Sequence, residues 1–470
     1  MNTLVMKFGG SSVGTTTALT QVLSIVLQER ERWQRMLLVV SALDGVTDAL
    51  IEAAHLAQLS NRRGYRRIVA MLRTRHLALI EHLPLGPTER SALQADIDRL
   101  LFDMLDTCQA LAASPSEPAQ TEMVDSIVGV GERLAARIVA ALLRQNNLRG
   151  VAIDATDLII TDNVYGNASV AIALTRARIT EELAPMLERS IIPVITGFIG
   201  ATAAGQPTTL GRGGSDYTAS VLAVCTDADE VWIWTEVDGM MSSDPHEITD
   251  AHVVPSLSYD EVAEMAYFGA RILHPRMIGP LRDEKIPLRV CNVFKPQQPG
   301  TRIGDTSETD GHPIKAVTMI QGLGLTADSS GPLGPMADMI DQLLFTTTSS
   351  HADVMISTQS ARQSFACFVI PTTAGPDALH TLRRVLDEEL PRRAGPMRWT
   401  ASTVSIVTAI GVGLNQLHPL ACTLFESLSG IRVLALAHGA SRCSISFVVD
   451  PRDGEKTLTQ IHSLIARQSA

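Results

Sequence analysis

The stretch TLVMKFGGSSVG, residues 3–14, joins a β-rich run to a helical pattern through two adjacent glycines. Lys7 stands at the end of the run, directly before the turn. Adjacent glycines let the backbone approach a ligand closely, and the free N–H groups at a helix start favour phosphate oxygens. The stretch therefore predicts a strand followed by a phosphate-binding turn, and the alternative is a turn that carries glycine for shape alone.

Further β-rich runs alternate with longer helical patterns over the first 300 residues. The runs are Thr3–Phe8, Met36–Leu43, Val151–Ile160, Ile191–Ile199, Val231–Val237 and Leu288–Val293. Such alternation predicts an α/β fold with a mostly parallel central sheet covered by helices. Residues 48–120 lack β-rich runs and are predicted to form a helical excursion from the sheet.

A polar segment, GTRIGDTSETDGH at residues 300–312, ends the α/β pattern and suits a linker between domains. Beyond it, VMISTQSARQSFACFVI (354–370) aligns without a gap with VLALAHGASRCSISFVV (433–449). Each copy has the pattern strand, helix, strand, strand. We therefore predict a catalytic domain over 1–304, a linker over 305–315, and two βαββ units over 316–395 and 396–470. Such small units usually pack against each other or against a symmetry mate, because one alone buries too little surface.

The composition excludes several classes of protein. The chain has 470 residues, of which 45% are hydrophobic and 19% are charged, as in an ordinary globular protein. Its formal net charge of −11 argues against nucleic acid as a main partner. Its six cysteines lack metal-ligand and disulfide spacing, so no protein-held metal is predicted, and the thiols are expected to be mostly buried. The sequence has no charged leader and no long apolar run, so we expect a cytoplasmic protein without a membrane segment.

A second glycine-rich turn, TTLGRGGSDYT at residues 208–218, opens another helical pattern. Arg212 lies between glycines, where its guanidinium can hold a carboxylate in two parallel hydrogen bonds. Asp216 stands at the helix start, where a capping role is the common alternative. Together with Glu132, which can bind an ammonium, Arg212 suits an amino acid ligand. Walker A, protein-kinase and G-x-G-x-x-G signatures are absent from the sequence.

Six motifs, in this order, resemble those of aspartate kinases. They are KFGGSSVG (7–14), VVSALDGVT (39–47), GERL (131–134), TTLGRGGSDYT (208–218), TEVDGMMSSDP (235–245) and ARILHPR (270–276). The repeat after the linker resembles the paired ACT regulatory units of the same family. The resemblance thus covers essentially the whole chain.

The resemblance implies the amino acid kinase fold and an ATP-dependent reaction. In that reaction the γ-phosphoryl group passes to the side-chain carboxylate of L-aspartate and gives 4-phospho-L-aspartate, which feeds the lysine, threonine and methionine pathways. A carboxylate nucleophile is already ionised at neutral pH, so catalysis can rest on positioning and charge neutralisation. Mg²⁺ is expected to bridge the phosphates, held mainly by ATP and water.

The resemblance also assigns roles to individual residues. Catalysis is assigned to Lys7 and Asp216, and aspartate binding to Ser41, Thr47, Glu132 and Arg212. ATP binding is assigned to Lys7, Gly9, Gly10, Ser11, Gly213, Gly214, Ser215, Thr235, Asp238, Met241, Ser242, Asp244, Pro245 and Arg271. Four residues depart from the usual family pattern around the nucleotide: Glu236, Met241, His246 and Arg271.

Family resemblance further implies feedback control by an end-product amino acid, namely lysine, threonine or methionine. The candidate effector residues are Ser330, Gly334, Asp353, Ser357 and Thr358, each of which could equally be a cap or turn residue. A homodimer or tetramer formed partly through the ACT units is expected. Two alternatives stay open: a kinase for glutamate, acetylglutamate or a nucleoside monophosphate, and a catalytically silent amino-acid sensor. The presence of Lys7, Arg212 and Asp216 together argues against the sensor.

Overall fold

The chain divides into two compact units. A computed structural model describes residues 2–114, 117–270, 272–306, 313–327, 334–348, 353–359, 363–369, 378–393, 399–414, 418–438 and 442–468. The first unit comprises Met1–Met240, Pro255–Tyr259 and Ile272–Thr306, and the second comprises Met241–Val254, Asp260–Arg271 and Ser307–Ala470.

The first unit is built on a parallel-rich sheet. Its strands are β1 (Thr3–Phe8), β2 (Arg35–Val40), β3 (Gly150–Ile153), β4 (Ile160–Thr161), β5 (Ile192–Thr196), β6 (Ile199–Thr202), β7 (Pro207–Thr209), β8 (Glu230–Thr235), β9 (Ser256–Ser258), β10 (Leu288–Asn292) and β11 (Thr301–Gly304). Eight strands follow the order β3-β5-β2-β1-β8-β10-β11-β9, and β4-β6-β7 form a small second sheet. All pairings from β3 to β10 in the large sheet are parallel, so these strands end at one common edge.

Helices surround this sheet, as the alternating sequence pattern predicts. They are α1 (Gly10–Val13), α2 (Thr16–Glu29), α3 (Val46–Gln58), α4 (Arg62–Glu81), α5 (Pro87–Ala113), α6 (Glu117–Val128), α7 (Val130–Gln145), α8 (Ile172–Glu182), α9 (Ala184–Glu188), α10 (Gly214–Cys225) and α12 (Pro275–Asp283). The first residue of α11 (Tyr259–Tyr267) belongs to the first unit, and the rest of this helix belongs to the second unit. The predicted α/β fold is confirmed. The helical excursion corresponds to α3 to α6, which share one buried core with β1 and β2.

Three of the predicted strand runs end three residues early or are interrupted in the structure. The run at Met36–Leu43 leaves the sheet after Val40. The run at Val151–Ile160 is interrupted by a 3₁₀ turn at Ala155–Asp157, whose first N–H donates to the Thr196 hydroxyl at 2.7 Å. The run at Ile191–Ile199 divides at Gly197 and Phe198, because Phe198 adopts a left-handed φ of 70° that cannot continue a strand.

The second unit contains the sequence repeat. Its elements are β12 (Ile314–Ala327), α13 (Gly334–Thr348), β13 (Asp353–Gln359), β14 (Ser364–Val369), α14 (Ala378–Arg393), β15 (Trp399–Gly411), α15 (His418–Ser427), β16 (Val433–His438), β17 (Ser444–Val449) and α16 (Pro451–Gln468). Six strands form one antiparallel sheet in the order β13-β14-β12-β15-β17-β16. Each copy therefore has the pattern βαββα, with a closing helix that the predicted βαββ pattern omits. Strand β12 begins at Ile314, inside the predicted linker.

Side-chain alternation along β15 divides the core of the second unit between the two faces of the sheet. Val407 and Ala409 join a cluster that includes residues of α15 and α16, together with Ile248 from the segment Met241–Val254. Val404 and Ile406 pack on the other face with Phe268, from the segment Asp260–Arg271. Both segments precede the polar linker in the sequence, so their place in this unit was not predicted.

Two other expectations from composition can be compared with the structure. Five of the six cysteines are buried and Cys422 is exposed, in agreement with the expectation of mostly buried thiols. Within the described ranges no helix is both long enough and apolar enough to cross a membrane.

A buried carboxylate on α6 fixes the chain that leads into the Arg212 turn. Asp125 accepts hydrogen bonds from the backbone N–H of Gly166 at 2.8 Å, from the N–H of Thr209 at 2.7 Å and from the Thr209 hydroxyl at 3.0 Å. Burial raises the pKa of Asp125, and the three donated hydrogen bonds oppose the rise. Thr209 ends β7 three residues before Arg212, so this carboxylate sets where the turn begins.

Replacing Asp125 tests whether hydrogen bonding or charge holds this turn. Asp125→Ala leaves the buried N–H of Thr209 and the part-buried N–H of Gly166 without this acceptor and is expected to cost about 1–3 kcal/mol of unfolding free energy. Asp125→Asn is expected to keep most of the stability, because one amide oxygen can accept both backbone bonds and the Thr209 hydroxyl can rotate. Urea denaturation followed by tryptophan fluorescence measures both, since Trp33, Trp232 and Trp234 lie in the first unit. Equal losses in the two variants would show that the charge matters instead.

Candidate active site

The loops that follow β1 and β2 meet at the common edge of the parallel strands. The Ser41 N–H donates to the Phe8 carbonyl at 3.1 Å, and the Gly9 N–H donates to the Trp234 carbonyl at 3.3 Å. A Cβ atom on Gly10 would lie 2.9 Å from the Ala42 carbonyl oxygen. The second glycine of the turn is therefore required for loop packing, as well as being available for the predicted phosphate contact. Ser11 and Ser41 are half-buried in these loops, and Thr47 is half-buried in the first turn of α3.

Lys7 and Asp216 form an ion pair at the centre of this edge. The Lys7 Nζ lies 2.6 Å from Asp216 Oδ1, and the two side chains are only 13% and 12% exposed. Lys7 comes from β1, and Asp216 comes from the first turn of α10, where a carboxylate is also favoured by the helix dipole. The alternative role of Asp216 as a simple cap does not describe this contact. The pair fixes one ammonium where the loops converge.

Glu132 lies in the first turn of α7 with one carboxylate oxygen committed. Its Oε1 accepts a hydrogen bond from the Ala42 N–H at 3.1 Å, while Oε2 is buried and has no hydrogen-bond partner. Burial raises the pKa of Glu132 to about 8, and the Ala42 N–H and the charges of Arg133 and Lys7 act against this rise. A carboxylate in this environment is suited to accept a hydrogen bond from a bound cation, because that contact would satisfy Oε2 and restore the charge.

The Arg212 turn holds its shape through glycines with left-handed backbone conformations. Gly211 and Gly213 have φ values of 75° and 69°, and a Cβ atom on Gly213 would overlap the ring of His274. Arg212 itself is exposed, as predicted from its flanking glycines. Gly213 caps α10, which begins with Gly214 and Ser215, so the predicted phosphate-binding residues occupy a helix start.

Two residues of this region were missed by sequence reasoning. His274 packs on Gly213, and burial lowers its pKa while the Asp216 carboxylate raises it and Arg276 and Arg212 lower it. Its place in ARILHPR, a motif singled out above, was the available signal. Phe198 packs against Gly214, and its strained φ of 70° had no sequence signal.

Asp238, predicted to bind nucleotide, already has two side-chain partners. Its carboxylate lies 2.7 Å from the Lys295 Nζ and accepts a 2.5 Å hydrogen bond from Asn292. These partners, Lys295 first, lower the pKa of Asp238. Thr235 precedes it at the end of β8. A nucleotide contact of either residue stays a prediction, and the observed role of Asp238 is to tie the loop after β8 to the end of β10.

The other predicted nucleotide residues lie in the second unit. Met241, Ser242, Asp244 and Pro245 belong to the segment Met241–Val254. Ser242 is fully buried, whereas Asp244 and Pro245 are exposed. Arg271 lies outside the described residues. Their nucleotide contacts stay predictions.

The predicted effector residues are only partly covered by the structure. Ser330 lies outside the described residues. Gly334 begins α13 and Asp353 begins β13, on which Ser357 and Thr358 are exposed. Their effector role stays a prediction.

The side chains of the described ranges do not include a group of three or more His, Cys, Asp or Glu that could hold a metal ion. Asp216 is paired with Lys7, so this carboxylate is not available as one member of a protein cage. The expectation that phosphates and water would hold the ion stays a prediction.

Comparison with known proteins agrees with this arrangement. Residues 2–292 match the model of the amino acid kinase family, and residues 407–464 match that of an ACT domain. The chain is 28% identical over 98% of its length to the bifunctional aspartokinase/homoserine dehydrogenase 2 of Arabidopsis thaliana, and it spans 50% of that relative's length. It is 27% identical to the lysine-sensitive aspartokinase 3 of Escherichia coli, with 98% of both chains covered.

A solved aspartokinase structure is similar to this chain over nearly its whole length. The E. coli aspartokinase III structure in complex with aspartate and ADP superposes with a TM-score of 0.77 at 26% identity, covering 99% of this chain and 100% of the other. The family model alone spans more than half of the chain. The protein with this Lys7–Asp216 edge therefore belongs to the amino acid kinase family.

Proposed function

We propose that this protein is an ATP-dependent aspartate kinase, which phosphorylates the side-chain carboxylate of L-aspartate. The observation that carries the proposal is the buried Oε2 of Glu132, which has no hydrogen-bond partner and lies close enough to Lys7 for the two charges to interact. An α-ammonium group would satisfy that oxygen. The relatives that are aspartokinases by name, and the superposed enzyme solved with aspartate and ADP, support the choice of substrate.

Substrate binding and phosphoryl transfer are assigned to different residues of the site. Glu132 would bind the α-ammonium and Arg212 the α-carboxylate, which leaves the side-chain carboxylate as the nucleophile. One of its oxygens forms a bond to the γ-phosphorus of ATP while the bond to the bridging β–γ oxygen breaks, and ADP leaves. No proton is transferred in this step, so no general base is required. Lys7 would neutralise the transferring group, and Asp216 holds the Lys7 ammonium in place.

The second unit is proposed to regulate this reaction. We propose that both repeat copies are ACT units, since the copies have the same βαββα order and the second matches an ACT model. Lysine is the first effector to test, because the E. coli relative is lysine-sensitive, with threonine and methionine as alternatives. Assembly into a dimer or tetramer and a cytoplasmic location remain parts of the proposal.

Hydroxylamine trapping of the acyl phosphate tests the proposed reaction. Mg-ATP is supplied with aspartate, glutamate or acetylglutamate, and each reaction is repeated with lysine, threonine or methionine. Hydroxamate from aspartate alone is the expected result. Hydroxamate from another acid would assign a different amino acid kinase. Its absence with every acid, with amino acid binding still visible as a melting shift, would indicate the silent sensor.

Two substitutions separate phosphoryl transfer from aspartate binding. Lys7→Met is expected to lower kcat by about 100-fold or more, because it removes a charge aimed at the transferring group. Arg212→Ala is expected to raise the KM for aspartate about 10- to 100-fold, the equivalent of one charge-assisted pair, with little change in the KM for ATP. Arg62→Ala, on the exposed face of α4, is the control. Equal changes in both KM values for Arg212→Ala would remove Arg212 from the aspartate site.

The pKa of Glu132 predicts a pH dependence of aspartate binding. With a pKa of about 8, most Glu132 side chains are protonated at pH 7, and the ammonium can be bound only after that proton leaves. Aspartate affinity should therefore rise with pH through about 8, and the KM for aspartate should fall about tenfold between pH 7 and pH 9. Initial rates across this range measure the change. Glu132→Gln should bind aspartate weakly and lose this dependence, whereas a flat profile in the unmodified protein would contradict the assignment.

A further inference from the structure

The segment Met241–Val254, which carries part of the predicted nucleotide site, closes on itself inside the second unit. Met241 and Val253 form an isolated antiparallel bridge. The Ser242 N–H donates to the His252 carbonyl at 2.8 Å, and the His252 N–H donates to the Ser242 hydroxyl oxygen at 3.1 Å. The segment is thus a closed loop whose base is formed by Ser242 and His252.

The base of this loop is fixed by the C-terminal helix and by β12. Ser242 Oγ lies 2.9 Å from Nε2 of His462 on α16, with Ser242 fully buried and His462 only 4% exposed. The Val317 N–H of β12 donates to the Ser242 carbonyl at 2.7 Å. Ile248 adds an apolar contact, because it belongs to the same core cluster as Ile461 and Leu464 of α16. A single buried side-chain contact therefore joins Ser242 to α16.

The exposed part of the loop follows directly from this base. Asp244, Pro245, His246 and Glu247 are exposed. The Asp244 side chain accepts from the His246 N–H at 2.9 Å, and its carbonyl accepts from the N–H groups of Glu247 and Ile248. The turn is ordered by its own hydrogen bonds, and its position depends on the buried residues at its base. The hydroxyl, N–H and carbonyl of Ser242 are all hydrogen-bonded within the protein, and its nucleotide contact stays a prediction.

We propose that His462 is a positioning residue for nucleotide binding, acting through Ser242 on the exposed turn at residues 244–247. This inference rests on the proposed function, because the family resemblance assigns Asp244 and Pro245 of the turn to the ATP that this function uses. His462 touches neither substrate in this role. His462 lies on α16, the closing helix of the second repeat copy. Its contact with Ser242 therefore joins that copy directly to the segment Met241–Val254.

The contact is made by a ring whose surroundings favour its uncharged form. Burial lowers the pKa of His462, and the neighbouring His252 lowers it further, while Asp250 raises it. A neutral imidazole offers one donor and one acceptor, and either suits the Ser242 hydroxyl. Glutamine can place an amide close to the position of Nε2, whereas leucine fills similar volume without a polar atom. The two substitutions therefore separate the hydrogen bond from packing.

Four forms of the 470-residue chain are compared: His462→Leu, His462→Gln, Ser242→Ala and the unmodified protein. His462→Leu is expected to raise the KM for ATP and the Kd for ADP about five- to tenfold, the equivalent of one buried hydrogen bond, with the KM for aspartate changed less than twofold. His462→Gln should restore most of the affinity. In the double variant that combines Ser242→Ala with His462→Leu, the loss should be less than the sum of the two single losses, because both changes remove the contact between His462 and Ser242, whereas Ser242→Ala also removes the acceptor of the His252 N–H. If the His462→Leu variant does not fold, Ser242→Ala alone tests the contact between Ser242 and His462.

Thr457→Val is the matched control on the same helix. Thr457 is fully buried, and its hydroxyl donates only to the Asp453 carbonyl of its own helix. The valine variant should keep the ADP affinity of the unmodified protein. An equal loss in Thr457→Val, an unchanged Kd for ADP in His462→Leu, or an equal rise in the KM for aspartate would overturn the inference.

Failure of the proposed reaction can be told apart from failure of this inference. If no acid gives hydroxamate but ADP binding is still weakened in His462→Leu and restored in His462→Gln, the positioning role stands and the proposed acceptor falls. If aspartate is phosphorylated and the Kd for ADP is the same in all variants, the positioning role falls and the proposed reaction stands.

Discussion

The ion pair between Lys7 and Asp216 is the constraint on which the first unit's site depends. One partner ends a strand near the N-terminus and the other begins a helix more than 200 residues later, yet both side chains are nearly buried. A buried charge that lost its partner would cost several kcal/mol, roughly 3–5 by analogy with other proteins. The helix start of α10 is therefore held against the end of β1, and the loops between them must fit this distance.

The glycines of the turn after β1 and of the Arg212 turn allow this close approach, because they have no side chain. Gly10 lies against the Ala42 carbonyl, and Gly213 lies against the His274 ring with a left-handed φ of 69°. Any side chain at either position would push the loops apart. Gly131 acts in the same way on α7, since a Cβ atom there would lie 2.6 Å from the Ala42 Cβ. Close packing around residue 42 thus brings Glu132 to the same edge as Lys7.

The features that sequence reasoning predicted correctly are those that a local sequence pattern determines. The strand Thr3–Phe8 was predicted at its exact bounds, because a buried parallel strand is a continuous apolar run with a glycine turn after it. The parallel sheet, the helical excursion and the structural repeat were likewise recognisable from the pattern alone. Phe198 was not, because its strained backbone is imposed by neighbours such as Gly214. The closing helix α14 was missed because the aligned repeat ends with the preceding strand.

The largest difference between the predicted and the observed structure concerns which segments form the core of the second unit. Ile248 and Phe268 reach opposite faces of the six-stranded sheet, although both precede the linker in sequence. Their partners lie far along the chain, so no local pattern could reveal them. Glu261 adds a buried contact to Lys315, with Nζ 3.5 Å from Oε2. The repeat thus completes its core with residues that precede the linker in the sequence, so any rearrangement of its sheet must also displace those segments.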